Sequence, residues 1–271
     1  MIKTFEPGFY YSTIPSEEDL IKYGPKIWND KELLGIDLNL DSQLELFHSF
    51  SEFYKELPFP ADPEIGFNYY FNNPAYSYFD GFVLYSMIRK LKPKNIIEIG
   101  SGWSSCLMED INKLYFDGLI NITHIEPHPE TLKTLIKDKI NLIPSNLQDV
   151  GLEYFKLLKA GDILFIDSSH VSKIGSDVNY LIHEILPSLD PGVIIHFHDI
   201  FYNFEYPKEW INQGWFWNEQ YILRAFLEYN QNFSIQLFNS YIGKYYREQF
   251  IDSFPVAFLN NGSSLLLKKE K

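Results

Sequence analysis

The sequence has little cysteine and no long apolar run. Its 271 residues include one cysteine, Cys106, which excludes an internal disulfide and a zinc site built from several cysteines. No apolar stretch approaches the roughly 18 residues needed to cross a bilayer. Residues 1–10 lack the basic start and apolar core of a secretory signal. We therefore expect a cytoplasmic protein that does not bind a membrane.

Positive charge is also scarce. The chain carries 23 Lys and Arg against 36 Asp and Glu, so its formal net charge is −13. Such an acidic surface repels phosphate backbones, and we expect no nucleic-acid partner. Apolar residues make up 45% and charged residues 22%, which indicates an ordinary globular protein with a full core. Aromatic residues reach 17%, enough both to fill cores and to line pockets.

The chain divides into two regions. Prolines interrupt the first region, in which residues 42–57 show a helical period. A second helix is predicted over residues 76–91. We expect residues 1–75 to form a helical elaboration that packs on a main domain spanning residues 76–271.

From residue 93 onward, short apolar runs alternate with helical patterns. This alternation predicts an α/β fold with a doubly wound, seven-stranded, mostly parallel sheet whose last strand is antiparallel. No helix is expected between the last two strands, and Pro187 is expected to end a helix. The predicted strands are 95–99, 121–126, 140–143, 162–167, 192–198, 233–238 and 263–268, and the predicted helices are 103–116, 131–137, 151–159, 178–186 and 218–229.

Ligands of such sheets bind outside the carboxyl ends of the strands. The turn Gly100-Ser101-Gly102 follows the first strand, where glycines let a ligand approach the backbone and a helix begins. Glu98 lies inside that apolar strand and needs a partner there. Its charge would repel a pyrophosphate but suit a cationic or hydroxylated ligand. Glu126 ends the second strand, where nucleotide-binding folds place the acid that binds ribose hydroxyls.

The segment from Ile97 to Gly102, followed by Glu126, resembles the first motif and the ribose-binding acid of class I S-adenosylmethionine-dependent methyltransferases. The resemblance covers roughly residues 76–271, with Ser104 in place of the family's third glycine. It implies S-adenosylmethionine as cofactor. Residues 145–149 would pass near the adenine, without an assignable contact. The implied cofactor-binding residues are Glu98, Gly100, Ser101, Gly102 and Ser104 for the amino-acid part, Glu126 and Pro127 at the ribose, and Asp167.

The distal half resembles one subgroup, which includes small-molecule O-methyltransferases of antibiotic pathways. The matching residues are 165–170, 189–192, 198–200 and 217–221. In catechol-type and macrolide-type relatives, a carboxylate after strand four and an acid pair after strand five bind a divalent cation. The corresponding residues here are Asp167, His198 and Asp199. Because His198 replaces a carboxylate, the resemblance leaves metal dependence open.

Methyl transfer needs an aligned, deprotonated acceptor, and a histidine can take the proton. The candidate bases are His170 and His198, and the predicted catalytic set is Asp167, His170, His198 and Asp199. His196 is expected to be a core histidine. The other histidines, for which no constellation is visible, are expected to be structural or on the surface: His48, His124, His128 and His183.

Aromatic residues in 201–217 are expected to cover the pocket, with residues 69–73 as its other wall. The expected partner is a small-molecule methyl acceptor, methylated at oxygen, and the sequence is compatible with a homo-oligomer. Three alternatives remain. A nicotinamide-dependent oxidoreductase usually has glycine at the position of Ser105 and no acid at the position of Glu98. A metal-dependent hydrolase would want more ligands around His196 and His198. A non-catalytic nucleotide-binding domain would keep the fold without turnover.

Overall fold

The computed structural model describes residues 4–271. The first region contains α1 (Glu17–Ile27), α2 (Leu40–Ser49), α3 (Ser51–Tyr54) and α4 (Tyr78–Leu91). α1 begins at a capping box, in which Ser16 and Asp19 bind each other's backbone N–H groups. The predicted helix over 42–57 is thus two short helices, whereas the one predicted over 76–91 begins at Tyr78.

The sheet has seven strands in the order β3-β2-β1-β4-β5-β7-β6. β1 to β5 pair in parallel, and β7 is antiparallel to both β5 and β6. This arrangement confirms the predicted fold class. The strands are β1 (Asn95–Ile99), β2 (Asn121–Ile125), β3 (Asn141–Ile143), β4 (Ile163–Ile166), β5 (Ile194–Phe197), β6 (Phe233–Phe238) and β7 (Leu265–Lys269).

Helices cover both faces of the sheet, and buried apolar residues form a core cluster on each face. The crossovers contain α5 (Trp103–Phe116), α6 (Glu130–Leu135), α7 (Leu152–Phe155), α8 (Asp177–Tyr180), α9 (Leu186–Ser188), α10 (Lys208–Asn212) and α11 (Glu219–Leu227). Phe47, Phe50 and Phe59 of the first region join the core cluster on one face, together with Ile96 of β1. Ile97 belongs to the cluster on the other face. The division at residue 75 stays a prediction.

The sequence predictions for the connection between β6 and β7 and for Pro187 were wrong. Helices α12 (Asn239–Tyr245) and α13 (Arg247–Phe250) lie between β6 and β7. They are too short to show a clear period in the sequence. Pro187 does not end its helix: residues Leu181–Ile185 form a π-helical turn, and Pro187 lies within α9 behind it. Pro187 lies in the last turn of this helical run, which ends one residue later, at Ser188.

The carboxyl ends of β1, β2, β4 and β5 meet at one edge of the sheet, where the predicted site residues lie. The predicted helix 151–159 is only the four residues of α7, and the loop before it lies beside this edge. Within residues 4–271, no helix combines the length and apolarity that a membrane span requires.

Candidate active site

The turn between β1 and α5 lies directly against the end of β4. Gly100 has φ +76°, a left-handed conformation, and a Cβ at this position would lie 1.9 Å from the carbonyl oxygen of Asp167. Only glycine fits such a close approach. The turn directs the N–H of Ser101 to Glu126, with 3.1 Å between Ser101 N and Glu126 Oε2. The glycine turn after β1 therefore contacts the ends of both β4 and β2.

Glu126 forms one side of a cleft of about 500 Å³. Its second oxygen accepts a hydrogen bond from the backbone N–H of His128, at 2.7 Å. Four of the predicted cofactor-binding residues line this cleft, namely Gly100, Glu126, Pro127 and Asp167. Its charged lining comprises three carboxylates, of Glu126, Asp167 and Asp177, and the ammonium group of Lys173. The cleft therefore suits a cationic or neutral ligand better than a diphosphate.

Glu98 is completely buried, and its carboxylate is held by the protein's own side chains. Oε1 accepts from the Ser104 hydroxyl at 2.6 Å, and Oε2 accepts from the Ser105 hydroxyl at 2.5 Å. Oε2 also lies 2.5 Å from Nδ1 of His124. A direct contact of Glu98 or Ser104 with a cofactor stays a prediction.

The expectation that His124 has no constellation around it was wrong. Its Nε2 lies 2.9 Å from Oε1 of Glu109, on α5, so both ring nitrogens face carboxylates. Burial lowers the pKa of His124, but the hydrogen bonds to Glu109 and Glu98 outweigh burial and raise the pKa to about 9. The ring therefore carries a positive charge at neutral pH.

His170 lies on the loop after β4, with φ +58°. Its Nδ1 is 2.8 Å from Oε2 of Glu219, while its Nε2 is 3.3 Å from Oδ1 of Asp167 and 3.7 Å from Oδ2 of Asp199. Burial lowers the pKa of His170, but hydrogen bonds to Asp167 and Glu219 outweigh burial and raise it to about 10. His170 is therefore an ion-paired cation here, rather than a base that titrates near pH 7.

His198 lies at the end of β5, on the same edge. Its Nδ1 is 3.4 Å from Asp167 Oδ2 and 3.6 Å from Asp199 Oδ1, and its Nε2 is 3.8 Å from Asp80 Oδ2. Burial is outweighed by the charges of Asp199 and Asp167, so the pKa of His198 is raised. Nδ1 is buried and lacks a hydrogen bond of good geometry. This nitrogen faces the space between the two aspartates.

The pKa values of Asp199 and Asp167 are shifted in opposite directions. Burial and the neighbouring charge of Asp167 raise the pKa of Asp199. The charges of His198 and His170 and the Ser263 hydroxyl, 3.0 Å from Oδ1, act in the opposite direction but do not outweigh them. For Asp167, the charge of His198 and a hydrogen bond to His170 outweigh burial and lower the pKa. The structure thus brings the four predicted catalytic residues together, as two carboxylates and two histidines.

Three of these side chains lie close enough together to act as ligands of one divalent cation. Ligand atoms of Asp167, His170 and Asp199 lie within 4.8 Å of one another. Glu219 binds Nδ1 of His170, which leaves Nε2 directed at the aspartates, the orientation that a carboxylate usually gives to a metal-binding histidine. Nδ1 of His198, which lacks a hydrogen bond, faces the same space.

Sequence reasoning missed two supporting carboxylates. Glu219 begins α11 and also accepts from the Ser168 hydroxyl at 3.2 Å. Asp80 of α4 is buried and accepts hydrogen bonds from Asn239 and from the backbone of Ser263. A carboxylate inside an otherwise apolar helix was the available signal for Asp80. His196 matches its prediction as a core histidine, since burial lowers its pKa to about 3.

A family model described as a methyltransferase domain matches residues 97–200. The match begins inside β1 and ends just beyond β5, so it includes the glycine turn, Glu126 and the cluster at Asp167 and Asp199. The chain belongs to the class I S-adenosylmethionine-dependent methyltransferases. The family assignment rests on this match together with the strand order of the sheet.

The chain of this methyltransferase is also similar to an uncharacterized protein of Archaeoglobus fulgidus, with 34% identity over 165 residues that cover 58% of this chain and 75% of the relative. Among solved structures, the SAH-bound methyltransferase PaMTH1 of Podospora anserina matches with a TM-score of 0.47 and 15% identity, covering 100% of both chains. A putative O-methyltransferase from Klebsiella pneumoniae matches with a TM-score of 0.42 and 16% identity, covering 94% of this chain and 97% of the other.

An aromatic groove of about 560 Å³ lies between α1 and residues 205–221. It lies beside the cluster formed by Asp167, His170, His198 and Asp199. Trp217 lines the groove, and its ring lies 4.5 Å from that of His170. The other predicted wall, residues 69–73, was wrong for Tyr69 and Phe71. Their side chains are buried in the core because they pack against α4.

Proposed function

We propose that this methyltransferase transfers the methyl group of S-adenosylmethionine to a hydroxyl oxygen of a small molecule. The observation that carries the proposal is the junction of two features at Asp167. One face of this residue lines the acidic cleft beside Gly100 and Glu126, and its carboxylate contacts His170 and His198 of the cluster. A donor site and a group of acid–base side chains therefore share one residue.

The cleft provides the groups that would hold the cofactor. Glu126 keeps lone pairs free beyond its two backbone contacts and can accept hydrogen bonds from ribose hydroxyls. Asp167 and Asp177 add negative charge, which favours a sulfonium nucleoside over a dinucleotide. When bound, S-adenosylmethionine supplies an electrophilic methyl group.

The cluster of Asp167, His170, His198 and Asp199 would accept the proton of the acceptor hydroxyl and stabilise the resulting negative charge. His170 and His198 are positively charged in this arrangement, so they stabilise a developing alkoxide rather than take its proton. Asp199 is the better proton acceptor without a metal, because its pKa is raised from its ordinary value. This assignment replaces the histidine base expected from the sequence.

A second arrangement of the same residues is favoured by Nδ1 of His198, which is buried without a hydrogen bond. Asp167, His170 and Asp199 would hold a divalent cation, and Glu219 would keep Nε2 of His170 directed at it. The ion supplies a lowered pKa for a hydroxyl bound to it. The excess of carboxylates that raises the histidine pKa values also attracts such an ion.

The aromatic groove would receive the acceptor. Its walls include Tyr23, Trp28, Tyr206 and Trp217, which suit a planar or apolar ring. Among the residues that the structure describes, no lysine, arginine or histidine lines the groove, whereas Asp19 and Glu205 contribute negative charge. A carboxylated or phosphorylated acceptor would therefore be disfavoured.

Calorimetry with S-adenosylmethionine and with NAD tests the proposal. We expect saturable binding of the sulfonium nucleoside and none of the dinucleotide. Tight NAD binding without a response to S-adenosylmethionine would instead support an oxidoreductase. Cofactor binding without methylation of any hydroxylated probe in the presence of Mg²⁺ would favour a non-catalytic domain.

A further inference from the structure

A buried chain of three charged side chains lies behind the glycine turn and outside the proposed reaction path. It runs from Glu98 on β1 through His124 on β2 to Glu109 on α5. Parallel pairing sets Glu98 and His124 directly opposite each other on neighbouring strands. Their side chains therefore emerge on the same face of the sheet, towards α5.

The inner end of this chain is tied to the backbone of the turn. The Ser105 hydroxyl donates to Glu98 at 2.5 Å and accepts from the N–H of Gly102 at 3.0 Å. The Ser104 hydroxyl donates to the other oxygen of Glu98. Any displacement of the Glu98 carboxylate is thus passed to the first turn of α5 and to Gly102.

The middle of the chain is a fully buried imidazolium. Carboxylates only accept hydrogen bonds, so a ring with a carboxylate at each nitrogen must donate from both. Loss of this donor would leave the Glu98 carboxylate buried with two hydroxyl partners and no counter-charge. Removing one partner of a buried ion pair is strongly destabilising, because it leaves the other charge without compensation.

We propose that His124 is a positioning residue for the cofactor-binding turn, holding Glu98 so that its carboxylate fixes Ser105 and Gly102. This inference rests on the proposed function for its ligand. In this view Glu98 acts on the cofactor through the turn rather than by direct contact.

The test compares His124→Gln, Glu98→Gln and the double variant with the full-length parent. Binding of S-adenosylhomocysteine is measured by calorimetry at pH 7, and amide hydrogen exchange is measured at residues 100–105 without ligand. The matched control is His48→Gln, because His48 is exposed on α2 and lies outside the site. Its affinity and exchange should equal those of the parent.

We expect each single variant to weaken binding by about tenfold, the effect of losing one charge-assisted buried hydrogen bond. The double variant should be little worse than either single one, since the two residues act as a unit. Exchange at residues 100–105 should accelerate. If Glu98→Gln weakens binding while His124→Gln leaves both affinity and exchange unchanged, Glu98 contacts the cofactor directly and the proposal is overturned.

A pH series separates positioning from a general loss of stability. The charged groups that face the ring are Glu98 from β1 and Glu109 from α5, and the register partner on β3 is the apolar Leu142. The buried thiol of Cys106, also on α5, stays neutral because burial raises its pKa. The affinity ratio of parent to His124→Gln should shrink as the pH rises through 9. A ratio that stays constant would contradict the proposal.

Two possible failures, of ligand binding by the parent and of folding by His124→Gln, are each covered by a separate measurement. If the parent does not bind S-adenosylhomocysteine, the proposed function fails, and hydrogen exchange alone decides whether His124 holds the turn. If His124→Gln does not fold, Glu109→Gln takes its place, since this side chain is 21% exposed and its loss leaves the pair of Glu98 and His124 intact. A smaller loss of affinity and faster exchange are expected, and parent-like values would refute the proposal.

Discussion

The buried charge on His124 predicts a specific pH dependence of stability. Its pKa in the folded protein is about 9, against an ordinary value of 6.5. A raised pKa means that the folded state binds the proton more tightly, so the stabilisation is complete below pH 6.5 and is lost as the pH rises toward 9. At about 1.4 kcal/mol per pH unit, the contribution is about 3 kcal/mol.

His124→Gln removes this contribution. We expect the variant to be about 3 kcal/mol less stable than the parent at pH 6 and to approach the parent at pH 9.5, because His124 is then neutral in both folded and unfolded chains. Urea unfolding at several pH values measures the difference. With an m-value of about 3 kcal/mol/M, the gap between the two midpoints should shrink by about 1 M over this range.

The variant must be compared with the parent at each pH, because His170 and His198 also have raised pKa values. Loss of their protons lowers the stability of the parent over the same pH range. Their contribution is shared by both proteins and cancels in the difference. His48→Gln provides the control and should follow the parent at every pH. A gap that stays constant from pH 6 to pH 9.5 would show that His124 is not charged in the folded protein and would refute the reasoning.

Further predictions concern the site. Glu126→Ala should weaken binding of S-adenosylmethionine by about 1–3 kcal/mol in calorimetry, and unchanged affinity would misplace the ribose. Glu219→Gln should lower kcat by about tenfold to a hundredfold because His170 loses its charged partner, while cofactor affinity stays as in the parent. EDTA distinguishes the two arrangements: full activity in EDTA is expected if Asp199 takes the proton, whereas loss of activity that Mg²⁺ restores would assign the site to a divalent cation. Gly100→Ala should cost more than about 2 kcal/mol in urea unfolding, since its Cβ meets a carbonyl oxygen at 1.9 Å, whereas Gly151→Ala meets nothing within 4 Å and should cost under about 0.5 kcal/mol.

The fold was largely predictable because its signals are local. Apolar runs mark the strands, and the turn at Gly100 lies where a strand changes to a helix. The antiparallel β7 followed from the long connection after β6. The same local signals failed for α12 and α13, because four- and seven-residue helices show too few turns for a period to emerge.

The partners within the site could not be predicted, because they are distant in the sequence. His124 meets Glu98 across 26 residues, and His170 meets Glu219 across 49. The alternation of side chains along β1 put Glu98 toward α5 rather than into the cleft, which periodicity alone could have suggested. The charge state of His170 depends on two carboxylates brought together by folding, so its high pKa has no counterpart in the sequence.

Calorimetric titration of the parent protein with S-adenosylhomocysteine and with NAD tests the central claim most directly. The acidic cleft beside Gly100 and Glu126 predicts one saturable site for S-adenosylhomocysteine and no heat from NAD. Saturable binding of NAD, with no heat from S-adenosylhomocysteine, would contradict the claim.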